Sequence, residues 1–202
     1  MPNWCTTNYV FYGDQGSIKD ITQKLEYLDS LKTPLVLNGF GKLWCGCLVN
    51  LLGGDWNEVG CRGEIEQYEL NDCSLHMVVT SAWTELVEWR MFIKSKYPKI
   101  DIVYLAEEPG CEIYETNDVG GLYFPEQYIL DSTEDDIRYF NTLDEACDYV
   151  YSITKIKVDS VESIISALEK QQALENVQKS RQEDSINSLY AFHEITVNGE
   201  DT

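Results

Sequence analysis

The stretch Asn71–Trp83, NDCSLHMVVTSAW, decides how the chain is read. It sets a Cys73-x-x-His76 pair beside an apolar run. Three readings compete: a metal half-site, a piece of hydrophobic core, or one strand of a larger pattern. Asn71-Asp72 is a turn dipeptide and the residues after it favour extended chain, which predicts a hairpin strand. Side chains alternate along a strand, so if Leu75, Met77 and Val79 face a core, His76 and Val78 face away. Structural zinc uses four N/S ligands, usually in two closely spaced pairs. Cys45-x-Cys47 is a poor knuckle and Cys61 stands alone, so the cysteines read as small core residues. Neither a metal nor a cofactor is expected.

The pattern extends on both sides. Thr7–Asp14 (TNYVFYGD) is a predicted strand ending at Gly13. A helix follows, with Ser17 and Asp20 spaced as a capping box and Ile18, Ile21, Leu25 and Leu28 at helical spacing. The Gly-rich segment 33–54 takes no clean assignment. Residues 61–72 predict the first hairpin strand, although their alternation is imperfect. Residues 83–98 predict a helix with Leu86, Trp89, Ile93 and Tyr97 on one stripe and Pro98 past its end. The next strand runs to the turn Pro109-Gly110, and Cys111–Asp118 is its hairpin partner. The order strand, helix, strand, strand, helix, strand is that of a split βαβ sandwich of the ferredoxin-like class, an α+β fold with helices on one face of an antiparallel sheet.

Beyond Gly110 the expectation is of further strands that extend the sheet or form a flap. A short strand is predicted near Ile137–Phe140. A helix follows it, opened by Thr142 and Glu145 and striped by Leu143, Ala146, Val150 and Ile153. A change in character near Lys157 places the domain division there, with residues 1–157 as core and residues 158–202 as a helical appendage with a polar tail.

Composition narrows the function classes. The chain has 202 residues, 44% of them apolar, enough for a real core. No apolar run is long enough to span a bilayer, and the start MPNWCTTN lacks a signal-peptide pattern. Seven cysteines, an odd number, fit reduced thiols in a cytosol. The net charge is −20, and it is unevenly spread. Residues 1–100 hold 12 acids and 9 bases (−3), 101–150 hold 14 acids and one base (−13), and 151–202 hold 9 acids and 5 bases (−4). Such a chain repels nucleic acid and favours basic partners.

Three short motifs carry a resemblance: MPNWC running into TNYVFYG, TSAW closing the strand above, and EEPG about twenty-five residues later. In order and spacing, over residues 1–131, they resemble the YubB-like family of ferredoxin-like proteins encoded by phages and plasmids, a family of unknown function. The chain departs from that family in having Thr84-Glu85 where prolines are usual. It also has WNEVGCRGEIE where a Trp-Gly-x-Lys-Trp-like stretch is common. The resemblance implies a mobile-element protein in a bacterial cytosol and implies no reaction.

No Cys–His or paired-carboxylate signature supports catalysis, so the chain is read as a non-enzymatic binding protein. The first expectation is a contact surface made of Asp131, Glu134, Asp135, Asp136, Asp144, Glu145 and Asp148. Carboxylates dense enough to imitate a duplex would inhibit a basic, nucleic-acid-directed host protein. The alternative is a small-molecule or nucleotide site using Lys42, Trp44, Trp56 and Arg62, with the indoles stacking on a base. A third is a structural or accessory phage protein that forms a homo-oligomer through its C-terminal helices. No membrane partner is expected.

Overall fold

A computed structural model describes residues 3–37, 39–133, 137–179 and 189–199. The fold is α+β, and the chain divides into two units, residues 1–119 with 197–202, and residues 120–196.

The first unit is built on β1 (Trp4–Gly13), which pairs antiparallel with β3 (Ser74–Ala82) on one edge and β4 (Ile100–Glu108) on the other. With β2 (Gly63–Asn71), β5 (Ile113–Thr116) and β9 (Thr196–Val197), the sheet order is β2-β3-β1-β4-β5-β9. Helix α1 (Gln15–Ser30) joins β1 to the β2–β3 hairpin by way of α2 (Cys45–Leu51), and α3 (Val87–Lys96) joins β3 to β4. One apolar cluster ties the helices to the sheet. It contains Tyr9 and Phe11 of β1, Leu75, Met77 and Val79 of β3, Ile18, Ile21, Leu25 and Leu28 of α1, and Trp89 and Ile93 of α3. The alternation read from NDCSLHMVVTSAW therefore holds, with His76 on the other face.

Local corrections have physical causes. Asp14, not Ser17, caps α1, its carboxylate accepting from Ser17 N at 2.9 Å. The imperfect alternation of β2 is a bulge, because the register slips between Ile65 and Gln67. Helix α3 begins at Val87 rather than at Trp83, since Trp83 sits at φ 76, outside helical space. The unassigned Gly-rich segment contains α2, whose Cys45, Cys47, Leu48 and Val49 are buried. Gly13 has φ +118, and a Cβ there would lie 2.7 Å from Lys99 O.

The second unit carries its own sheet, β7-β6-β8, from β6 (Tyr128–Ser132), β7 (Arg138–Phe140) and β8 (Tyr190–Glu194). Helices α4 (Leu143–Thr154) and α5 (Val161–Lys179) pack with it through Leu130, Phe140, Ala146, Val150, Ile164, Ala167, Leu168 and Phe192. The division expected near Lys157 is thus misplaced. Ile164 and Leu168 of α5 fill the core that Ala146 and Val150 of α4 open, so residues 158–179 are not an appendage. The polar look of α5 beyond Lys170 hid this, because its buried residues all lie in its first half. Strand β8 was missed because it follows a polar stretch of sequence. Among the described residues no helix is long and apolar enough to cross a membrane.

Two outcomes follow. Gly13→Ala should destabilise the first unit by about 1–3 kcal/mol, measured by urea unfolding. A chain ended after Lys157 should lose near-ultraviolet circular dichroism from the second unit and bind a hydrophobic dye, whereas unchanged signals would restore the boundary at Lys157.

Candidate functional site

Strand parity places the site. Cys5, Thr7, Tyr9 and Phe11 are buried toward the helices, so Trp4 projects from the opposite face, where it is 51% exposed. Thr80 lies opposite Thr6 in β1 and opposite Glu64 in β2, on that same face. The segment before α2 runs along the edge of β2, with Trp44 bridged to Glu64 and Ile65 N donating to Leu43 O at 3.0 Å. It delivers Phe40, 42% exposed, to the edge of the sheet. The result is a cleft of about 280 Å³ lined by Trp4, Phe40, Arg62, Gly63, Glu64, Glu66 and Thr80. A Cβ on Gly41 would lie 2.0 Å from Glu64 Oε1, so bare backbone lets this segment approach that carboxylate. Among the described residues Arg62 forms no ion pair, although two glutamates line the cleft with it. The cleft therefore offers two aromatic faces, one guanidinium and two carboxylates to a ligand.

The residues expected to hold a nucleotide are only partly brought together. Arg62 lines the cleft. Trp44 is 4% exposed, stacked on Phe40 at 5.4 Å and 12° and edge-on to Trp56 at 5.4 Å and 72°. Trp44 thus backs the site as core instead of stacking on a ligand, and its buried indole N–H has no partner among the described residues. Lys42 is turned away, its Nζ donating to the backbone carbonyl of Asp29 and to Asp29 Oδ1 at 3.0 Å. Trp4, Phe40, Glu64, Glu66 and Thr80 were not foreseen. For Trp4 the signal was available, since its parity is opposite to that of Tyr9 and Phe11.

The expected acidic surface is divided. Glu134, Asp135 and Asp136 lie outside the described residues. Asp131 follows Leu130 in β6, so alternation turns it to the sheet face away from α4. Asp144, Glu145 and Asp148 are exposed on α4. Glu145 is committed locally, its Oε2 accepting from Asn141 N at 2.9 Å while its own N–H donates to Thr142 Oγ1 at 3.3 Å. Burial pushes the Cys147 thiol up, and the carboxylates of Asp144, Asp159 and Asp148 add to the shift.

The remaining cysteines and histidines do not assemble. Among the described residues no group of three His, Cys, Asp or Glu side chains is placed to hold a metal ion. Cys45, Cys47 and Cys61 are buried, and Cys73 is exposed. Burial, followed by the influence of Cys47, pushes the Cys61 thiol up to about 11. His76 Nε2 lies 2.9 Å from Ser74 Oγ.

The three motifs meet at one end of the first sheet. Trp83 N donates to Asn3 O at 3.0 Å, and Asn3 Nδ2 donates to Cys111 Sγ at 3.5 Å. A Cβ on Gly110 would lie 2.7 Å from Asn3 Nδ2. Below them, Tyr9 OH and Arg90 Nε both donate to Glu85 Oε1 at 2.9 Å, and Arg90 lies over the Tyr104 ring at 5.0 Å. Burial raises the Glu85 carboxyl, against the pull of Arg90.

Arg90→Met leaves Glu85 buried without its cation and should cost about 3–5 kcal/mol at pH 7. Because the folded-state affinity of Glu85 for its proton is already raised, that loss should shrink as the pH falls through the carboxylate range, in urea unfolding at pH 7 and pH 4.5. Alkylation of the native protein at pH 8 should modify Cys73 and spare Cys45, Cys47 and Cys61, read by peptide mass spectrometry. No family model, curated protein or solved structure matches the chain.

Proposed function

We propose that the protein acts by binding rather than by catalysis, and that the cleft at Trp4 takes a small planar, nitrogen-rich ligand of the nucleotide class. The observation that carries this reading is the gathering of Trp4, Phe40, Arg62, Glu64 and Glu66 around about 280 Å³. That is near the lower end of ligand pockets, about 300–1,000 Å³, and suits a base or nucleotide better than a larger cofactor. Stacking on aromatic side chains contributes about 1–3 kcal/mol per base. Arg62 forms no ion pair among the described residues, which leaves its guanidinium to meet an anionic group. A net charge of −20 opposes a long nucleic-acid strand, which favours a mononucleotide.

We also infer that the first unit belongs to the ferredoxin-like class and is related to the YubB-like phage and plasmid proteins. The order β2-β3-β1-β4 with α1 and α3 as connections supports the class. The meeting of Asn3, Trp83 and Gly110 supports the relationship, since it gives three separated motifs one structural task. On this reading the protein works in a bacterial cytosol and sequesters its ligand.

A second reading assigns inhibition of a basic, nucleic-acid-directed host protein to the second unit. Asp144 and Asp148 lie one turn apart on the exposed side of α4, and with Asp159 they act on the same thiol. Double substitution Asp144→Lys with Asp148→Lys should abolish salt-sensitive capture of a basic partner from bacterial lysate, and unchanged capture would remove this reading.

For the ligand reading, the four common nucleoside monophosphates provide the test. At least one, at a hundredfold excess over its dissociation constant, should raise the melting temperature by about 5 °C or more. Trp4→Ala, an exposed change, should remove that rise. No stabilisation by any of the four, or a rise that survives in Trp4→Ala, would contradict the assignment.

A further inference from the structure

We infer that the cleft selects guanine among the bases; the inference rests on the ligand reading above. Its polar lining is unequal, with two carboxylates, Glu64 and Glu66, against one guanidinium, Arg62, and one hydroxyl, Thr80. Carboxylates at neutral pH only accept hydrogen bonds. A planar ligand held between or upon Trp4 and Phe40 must therefore turn N–H groups toward Glu64 and Glu66. Guanine has two adjacent donors on one edge, N1–H and the exocyclic N2 amine, which fit a single carboxylate side by side. Adenine presents its N1 lone pair beside a single amine, so a carboxylate there meets repulsion. Cytosine presents one amine beside the N3 lone pair. Uracil presents one N–H flanked by two carbonyls, both repelled by a carboxylate.

The basic group matches the same choice. Guanine carries acceptors O6 and N7 on its other edge, and a guanidinium meets that pair in bidentate fashion, or meets the phosphate of the nucleotide. Either use places Arg62 on an acceptor of the ligand. The positions of the two glutamates come from the fold. Glu64 is set by its pairing with Thr80, and Glu66 is released at the bulge between Ile65 and Gln67. Glu64 and Glu66 are two residues apart, the spacing that puts strand side chains on one face, and both line the cleft.

Titration calorimetry with GMP, AMP, CMP and UMP on the full chain tests this. GMP should bind at least tenfold tighter than the other three. Glu64→Gln with Glu66→Gln should lose at least tenfold in GMP affinity and abolish the preference, since an amide no longer accepts at both positions. Both residues are solvent-accessible, and unchanged far-ultraviolet circular dichroism would show that the variant folds. Equal affinity for GMP and AMP would overturn guanine selection while leaving the ligand reading in place. A GMP preference that persists in the double variant would overturn the role of the carboxylates. Binding of none of the four would overturn the ligand reading itself.

Discussion

Strand β1 is the constraint on which the first unit depends. It is hydrogen-bonded along both edges, to β3 and β4, over almost its whole length. That leaves it no freedom of register. Cys5, Thr7, Tyr9 and Phe11 go to the helices, and Trp4 goes to the other side. A slip of one residue would bury Trp4 and expose Tyr9 and Phe11, losing several kcal/mol of apolar burial. The exposed indole is thus an enforced consequence of a central strand that must bury its odd-numbered residues. The cleft is assembled around that indole by elements placed independently: strand β2 with Glu64 and Glu66, and the segment that delivers Phe40 along the β2 edge.

The buried ion pair beneath the motif end serves the same geometry. Glu85 and Arg90 hold the start of α3 against Tyr9 and Tyr104, and the desolvation cost is offset by hydrogen bonds from Tyr9 and Arg90 to one carboxylate oxygen. The other oxygen is buried and has no partner among the described residues. Trp83, at positive φ, ends β3 immediately before this pair and is tied by its N–H to Asn3. The neighbouring Trp4 is therefore anchored at the start of β1. Under the proposed ligand reading, an indole held in place next to a hydrogen-bonded Asn3 would meet a ligand at low entropic cost.

Much of the first unit was legible because its signals are local and periodic. Alternation in β3, the stripe of α1 and the Pro98 stop after α3 each follow from side-chain spacing. The β2 bulge was visible only as broken alternation. Helix α2 was illegible because its seven residues, CGCLVNL, span only two turns with no clear stripe and lie in a glycine-rich segment. The second unit was misdivided because α5 buries only its first half, and β8 follows a polar stretch that gave no sign of returning to a sheet. The candidate site was half legible. Arg62, named from the sequence, lines the cleft, but Trp44 lies in the core and Trp56 packs against it, while their neighbour Phe40 is left at the surface. Of the acidic surface, a charge count could not say which side of a strand or helix each carboxylate takes, and Glu134, Asp135 and Asp136 lie outside the described residues.

The charge of the chain and the charge of the cleft point in different directions. A net −20 makes the surface as a whole repel anions, while Arg62, which forms no ion pair among the described residues, stands beside two carboxylates within one small concavity. Such a local exception matters only if a ligand reaches it. The direct measurement is a titration of the intact chain followed by proton–nitrogen NMR of the five tryptophan indoles, with GMP as the ligand. The account predicts that the Trp4 indole signal moves saturably while that of Trp89, buried at the centre of the core, stays in place. A titration in which Trp4 does not move, or in which all five indoles shift together, would contradict it.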